Sequence, residues 1–258
     1  MNNIFGKFFN SKKEKSKKKT HLSPISLESI KTDIHSHLIP GLDDGVENID
    51  EALDIIRSMI SFGYRKIITT PHIMIDAYPN SSDYIKTEFN KLKQEVKNEK
   101  LDIELEVAAE YYVDKHFESL IEKDDILTLG DKHVLFEFSY LNKPINYKNV
   151  LIKLFEKGYK PILAHPERYI FLQNNKKEYD ELKEMGIEFQ LNMFSLIGAY
   201  DRVSQYHGRR LIEKGMVDYI GTDIHRKRQL RWLKSSLGSR YLHHLVNQCQ
   251  LKNLFLSS

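Results

Sequence analysis
The sequence predicts a single α/β domain of parallel strands, and three observations carry that prediction. Short apolar runs alternate with amphipathic helical stretches from about Ser29 onward, no Ser/Gly/Pro-rich linker or internal repeat interrupts them, and His, Asp and Glu residues recur where the apolar runs stop. Repeated strand–helix units suggest a parallel barrel or a doubly wound sheet. With 258 residues the chain suits one large domain of either kind.

The first strand is read over Ile30 to Ile34, followed by the loop Pro40-Gly41-Leu42-Asp43-Asp44-Gly45. Apolar positions from Ile49 to Phe62 recur with helical period and stop at Gly63, where a helix-ending glycine belongs. Lys66 to Thr70 is a second strand, stopped by Pro71-His72. Ser81 to Asn98 is a charged helix that Ser81 or Ser82 can cap. Leu101 to Ala109 runs as a third strand into Glu110-Tyr111-Tyr112, and Val134 to Phe138 is a fourth. Val150 to Glu156 is helical, Lys160 to Ala164 is a strand ending at His165-Pro166-Glu167-Arg168, and Lys176 to Met185 is a helix closed by Gly186. Ile187 to Leu191 is the sixth strand, Tyr206 to Lys214 a helix, and Val217 to Gly221 the seventh strand, ending at Thr222-Asp223-Ile224-His225. Leu230 to Leu256 is expected to be helical and to close the structure.

Composition narrows the chemistry. A hydrophobic fraction of 41% and a charged fraction of 29% are those of a water-soluble globular chain. No apolar run approaches the roughly 20 residues of a membrane span, so a cytoplasmic location is expected. The single cysteine, Cys249, excludes an intramolecular disulfide and any Cys-rich zinc module. A metal must then be held by His, Asp and Glu. Residues 1–28 are expected to form a basic arm ahead of a domain spanning 29–258: Ser11 to Lys19 is rich in lysine and lacks core-forming residues. Ile4, Phe5, Phe8 and Phe9 ahead of it form a small apolar face, so weak contact with an acidic inner-membrane surface stands beside the simpler reading of a solvated tail. No nucleic-acid partner is expected.

The chemistry-bearing residues fall at one kind of place. His35 and His37 stand at i and i+2 at the end of the first strand, a spacing that points both imidazoles the same way. Asp44 follows in the first loop, and His72, Glu110, Glu137, His165, Asp223 and His225 each lie at or just past the C-terminal end of a further strand. That end carries the active site in parallel α/β folds. Nitrogen and oxygen ligands delivered by five strands to one rim describe a multinuclear metal site. His21, His116, His133, His207, His243 and His244 lie off these strand ends and are read as structural or solvated.

Six motifs in order, Thr-Asp-Ile-His-Ser-His-Leu-Ile-Pro-Gly-Leu-Asp-Asp-Gly, Thr-Thr-Pro-His, Ala-Ala-Glu-Tyr-Tyr, Leu-Phe-Glu-Phe, Leu-Ala-His-Pro-Glu-Arg-Tyr and Gly-Thr-Asp-Ile-His, resemble the polymerase and histidinol phosphatase (PHP) superfamily. Within it the chain is most similar to the bacterial metal-dependent protein-tyrosine phosphatases of capsule and exopolysaccharide loci. The resemblance covers about Ile30 to Leu251. It implies a distorted, TIM-like (β/α)7 barrel carrying three divalent ions, manganese first, with iron, zinc or magnesium as alternatives. It also implies a partition: His35, His37, Glu110 and Asp223 on the first ion, Glu110 bridging to a second held by Glu137 and His165, and Asp44, His72 and His225 on the third. Arg168 matches an arginine that the family uses on phosphate. Leu230 stands where a second such arginine usually falls, and Arg228 is the nearest substitute chosen. The implied substrate is a phosphotyrosine protein, the tail of a bacterial tyrosine kinase.

Such a site would hydrolyse a phosphomonoester by metal-hydroxide attack, with Arg168 offsetting charge on the phosphate and His225 a candidate proton donor. A cysteine-dependent phosphatase is excluded, because Cys249 is followed by Gln-Leu-Lys-Asn-Leu-Phe and no phosphate-binding loop. A phosphatase for a small ester such as histidinol phosphate remains a rival, as does a non-catalytic phosphotyrosine-binding regulator at the membrane.

Overall fold
The computed structural model describes residues 22–256. Among them the strands are β1 (Thr32–Asp33), β2 (Lys66–Thr69), β3 (His72–Ile73), β4 (Glu104–Val107), β5 (Glu110–Tyr112), β6 (His133–Glu137), β7 (Lys160–Ala164), β8 (Glu188–Asn192) and β9 (Tyr219–Gly221). Every ladder between them is parallel. They make two sheets, ordered β1-β2-β4 and β3-β5-β6-β7-β8-β9.

The second and third expected strands stop close to where the sequence ends them, at Thr69 and Val107, and each resumes beyond its stop as a further short strand, β3 and β5. Pro71 has no N–H to give a ladder, so β2 stops before it and β3 starts after it. The partner run breaks opposite, between β4 and β5. Backbone bonds still cross the break, from Ala108 N–H to Thr69 O at 3.0 Å and from Glu110 N–H to Pro71 O at 3.1 Å. At the other margin, the chain beyond β1 and the chain beyond β9 exchange two bonds, Asp223 N–H to His35 O at 2.7 Å and His37 N–H to Ile224 O at 3.0 Å. Below them, Asn253 donates to Thr32 O at 3.0 Å and Ile220 O at 2.8 Å, tying β1 to β9 through the C-terminal segment.

Alternation along the strands divides the core. Val134, Phe136, Leu163 and Ile220 point outward into the large cluster beneath the helices. Ile68, Leu135, Ile162, Ala164 and Tyr219 join Ile34 in a smaller cluster that draws on both sheets, so the two sheets face one interior. Because side chains alternate with period two, Glu137 shares the inward face of Leu135. Burying an apolar side chain such as Leu135 contributes roughly 1.5–3 kcal/mol.

The helices are α1 (Ile49–Ser61), α2 (Ser82–Asn98), α3 (Lys115–Lys123), α4 (Tyr147–Glu156), α5 (Ile170–Asn174), α6 (Lys176–Glu184), α7 (Arg202–Glu213), α8 (Leu230–Ser236) and α9 (Arg240–Gln248). The sequence reading had no helix at α3, although Asp114 caps it by accepting the Phe117 N–H at 2.8 Å and it buries Phe117, Leu120 and Ile121. Helix α7 starts four residues earlier than Tyr206, at a cap where Asp201 accepts the N–H groups of Val203 and Ser204. The expected C-terminal helix is in fact α8, α9 and a 3-10 turn over Lys252–Leu256; Gly238 and an extended Ser239 (φ −72°, ψ 126°) interrupt it. The packed body also begins before residue 29, since Leu27 is fully buried and Ile25 N–H donates to Leu237 O at 3.0 Å. The lysine-rich run and the apolar face ahead of it lie outside the described residues. Among the described residues no helix is long and apolar enough to cross a membrane.

Candidate metal centre
All nine expected ligand residues converge at the C-terminal ends of the strands, at a cavity of about 600 Å³. Four overlapping groups each bring their ligand atoms within 4.8 Å of one another: His37, Asp44, His72 and His225; His35, His165 and Asp223; His35, His37 and Glu110; and His72, Glu110 and Glu137. Glu110 lies at the centre. Its Oε2 is 3.1 Å from His35 Nε2, 3.4 Å from His37 Nε2 and 3.2 Å from His72 Nδ1, and its Oε1 is 3.1 Å from His165 Nε2.

These groups differ in detail from the partition that the resemblance implied. His165 Nε2 sits 3.9 Å from Glu137 and groups with His35 and Asp223 instead. Glu137 Oε1 is 3.2 Å from His72 Nδ1, and His37 joins the set around Asp44 as well as the one around Glu110.

Local backbone aims several of these side chains. His165 and Asp223 have φ of 35° and 52°, left-handed conformations that cost a non-glycine residue about 1–3 kcal/mol and collect at functional sites. His165 directly follows β7 and Asp223 stands two residues past the end of β9, where the reversal turns the side chain over the strand end. Gly221, the last residue of β9, is required by close approach: a Cβ there would lie 2.7 Å from Gln190 Nε2 and 2.8 Å from His35 Cβ.

An outer layer of hydrogen bonds orients the imidazoles. His35 Nδ1 is 2.8 Å from Gln190 Oε1, His37 Nδ1 is 2.7 Å from Asp43 Oδ2, and His225 Nδ1 is 2.9 Å from the Asp223 carbonyl. Each acceptor takes the Nδ1 proton, which leaves a lone pair on Nε2 facing the cavity; ligand histidines are held this way. Asn192 relays the layer onward, accepting from Gln190 Nε2 at 3.0 Å and donating to Asp223 Oδ2 at 2.6 Å. Asp33 receives the Thr222 N–H at 2.9 Å and the Thr222 hydroxyl at 2.7 Å, while burial pushes its carboxyl up to about 7.

The donor set fits divalent cations. Glu110, Glu137 and Asp223 are all buried, and buried carboxylates demand positive partners. Among the described residues the Nδ1 atom of His165 is buried without a hydrogen-bond partner, and His72 Nδ1 faces two carboxylates at 3.2 Å. Burial works against a charge on His72, but Glu110 and Glu137 outweigh it and lift the imidazole to about 9. Burial likewise opposes ionisation of Glu110, and His35 and His72 hold it well below the usual range.

Arg168 is the cation facing this set. Its Nη1 lies 3.2 Å from Asp223 Oδ2, and its guanidinium is clasped between Tyr140 and Tyr200, with Cζ 4.4 and 4.2 Å from the ring centroids. Burial disfavours the charge, but Tyr140 and Asp223 overcome that and raise its pKa. Arg228 also lines the cavity and makes no ion pair among the described residues. Arg226 turns away to Glu47 at 2.8 Å. The sequence reading gave no role to Gln190, Asn192, Tyr140 and Tyr200, and left Asp43 as a loop residue. The Gln-Leu-Asn end of β8 was the one local signal, since its two amides share a face.

The geometry can be set beside known proteins. The chain is 28% identical to the tyrosine-protein phosphatase YwqE of Bacillus subtilis over 194 residues, 75% of this chain and 76% of that one. It is 28% identical to the tyrosine-protein phosphatase CpsB of Streptococcus pneumoniae over 199 residues, 75% of this chain and 82% of that one. A solved structure from work on YwqE and CpsB, described there as unique metal-dependent tyrosine phosphatases, superposes with a TM-score of 0.73 at 24% identity, over 85% of this chain and 96% of that chain. An amidohydrolase from Mycoplasma synoviae shares the fold more distantly, at a TM-score of 0.53 and 15% identity, over 90% of this chain and 86% of that one. The family model for capsular polysaccharide synthesis, CpsB/CapC, matches residues 31–257, so the chain belongs to the CpsB/CapC family.

Proposed function
We infer that this chain is a metal-dependent protein-tyrosine phosphatase acting on a phosphotyrosine protein of a capsule or exopolysaccharide system, the tail of a bacterial tyrosine kinase. The observation that carries the reading is the set of His, Asp and Glu atoms converging around Glu110 with Arg168 paired to Asp223 at its edge. The naming of YwqE and CpsB as tyrosine phosphatases supports the substrate class. The two sheets are read as one distorted (β/α)7 barrel within a single domain over 29–258. Three divalent ions, manganese first, are assigned to His35, His37, Asp44, His72, Glu110, Glu137, His165, Asp223 and His225. The enzyme is read as cytoplasmic, with its basic arm either a solvated tail or a weak contact to an acidic inner-membrane surface.

Bound ions of this kind supply Lewis acidity, which brings the pKa of water towards about 7 and offsets charge developing at phosphorus. The protein supplies the rest. Arg168 presents a planar fork to two phosphate oxygens, and its two tyrosine neighbours keep the fork from rotating away. Arg228 is the second cation at the mouth. The Nδ1–H of His225 is committed to the Asp223 carbonyl, so Nε2 is the atom it can offer towards the cavity. A tyrosine phenolate, with an ordinary pKa near 10, leaves with less proton assistance than an alkoxide. Cys249 takes no part, since burial pushes its thiol up and away from the thiolate that nucleophilic catalysis needs.

The test is phosphate release from phosphotyrosine peptides, with and without Mn, for wild type and His37→Ala, alongside the metal content of protein purified without added salts. Loss of activity on chelation and on substitution, with about three ions per chain, is the expected result. Activity that survives both treatments would sink the proposal, and turnover of histidinol phosphate alone would move the substrate to a small ester.

A further inference from the structure
Beside the ligand cavity lies a second cleft of about 530 Å³, and the two have three residues in common: Tyr140, Arg168 and Tyr200. The clasped guanidinium is therefore a shared wall. The rest of the cleft comes from the starts of α5 and α7, where Ile170 and Val203 are 42% and 53% exposed. Its polar groups are already engaged. Asp201 accepts the N–H groups of Val203 and Ser204 at 2.7 and 2.8 Å and the Ser204 hydroxyl at 2.6 Å, and Gln173 donates to the Glu167 carbonyl at 2.8 Å. What remains for an incoming molecule, beside the guanidinium edge, is mainly aliphatic and aromatic surface, set directly against a strongly polar cavity.

The geometry points to this cleft as a substrate subsite that takes an apolar side chain two residues away from the phosphotyrosine. The inference rests on the phosphatase reading above. An extended peptide advances about 3.3–3.6 Å per residue, and its alternate side chains lie on one side. The Tyr140 and Tyr200 ring centroids lie 4.4 and 4.2 Å from Arg168 Cζ, a span that about two or three residues of extended chain cover, and of these the second shares the side of the phosphotyrosine. A peptide whose phosphotyrosine enters the metal cavity thus brings a near neighbour over Ile170 and Val203. Neither residue touches the reacting centre, so they act on how the peptide is held.

The experiment compares wild type with the Ile170→Ser/Val203→Ser variant on three substrates: para-nitrophenyl phosphate, a phosphotyrosine hexapeptide with valine and leucine flanks, and one with glycine and serine flanks. Both side chains are exposed, so the variant should keep its fold, which its melting temperature verifies. The expected result is a KM about tenfold higher for the apolar-flanked peptide alone, with kcat and both other substrates within about twofold of wild type. A KM for that peptide unchanged by the substitutions, or one that rises equally for para-nitrophenyl phosphate, overturns the subsite and leaves the phosphatase standing. No hydrolysis of any substrate by wild type overturns the phosphatase and the subsite together.

Discussion
Replacing Asp43 with asparagine isolates what the outer layer of the metal centre contributes. The Asp43 side chain is almost wholly buried and uses both oxygens. Oδ2 accepts from His37 Nδ1 at 2.7 Å and from the His72 N–H at 3.0 Å, and Oδ1 accepts the Gly45 N–H at 2.8 Å. An amide has one oxygen. If its NH2 takes the Oδ2 place, it meets two donors. If it takes the other place, it meets the Gly45 N–H and leaves His37 with a neutral, weaker acceptor. The second arrangement costs less, and one unsatisfied buried donor is worth about 1–3 kcal/mol. The loss at His37 falls on the ligand, where removing an outer partner typically lowers metal affinity about 10–100-fold. Calorimetric titration of metal-free Asp43→Asn with Mn should show that weakening, and activity against Mn concentration should shift by the same factor. A folded variant that binds Mn within about twofold of wild type would refute the role assigned to Asp43.

Two further substitutions probe the frame of the site. Glu167 is fully buried, and burial pushes its carboxyl up to about 7 despite hydrogen bonds from the Ser195 hydroxyl at 2.6 Å and the Asn192 N–H at 3.2 Å. A folded value raised above the ordinary 4.5 means that its contribution is complete below about pH 4.5 and is lost as pH rises through about 7, a change of about 3 kcal/mol at most. Urea unfolding at pH 5.5 and 8 should show wild type losing more stability over that interval than Glu167→Gln; equal losses would remove Glu167 as the cause. Gly221→Ala would drive a Cβ to 2.7 Å from Gln190 Nε2 and 2.8 Å from His35 Cβ, so a cost of about 1–3 kcal/mol should appear in the melting temperature together with a loss of turnover. A variant with wild-type stability and activity would show that this contact gives way freely.

The convergence of the candidate ligands was legible because most of them announce themselves at their own strand ends. His35-Ser36-His37, Pro71-His72 and Asp223-Ile224-His225 need only strand periodicity and a stop signal to be placed on one rim. Glu137 could be oriented by counting from Leu135. The outer layer was only partly legible in this way: Asp43 lies six positions from His37 and the Asp223 carbonyl two from His225, but its other bonds span the chain. Gln190 reaches His35 across 155 positions and Thr222 reaches Asp33 across 189. An acceptor so far away leaves no local pattern. The clasp of Tyr140 and Tyr200 around Arg168 brings together three separate loops for the same reason. Helix α3 is a different case: its Asp114 cap and its Phe117, Leu120 and Ile121 spacing were present in the sequence and went unused.

The alternation of strands and helices, the rim of nitrogen and oxygen ligands and the absence of a cysteine nucleophile all follow from residue order, since each depends on neighbours within a few positions. The break at Pro71 belongs there too, although its effect on two sheets does not. How the ligands group around Glu110, which imidazole nitrogen faces the cavity, and the cleft that Arg168 shares with the metal centre depend on contacts between distant segments. Packing alone brings those segments within a few ångströms, and at that range hydrogen-bond direction and charge select the chemistry that the rim of ligands made available.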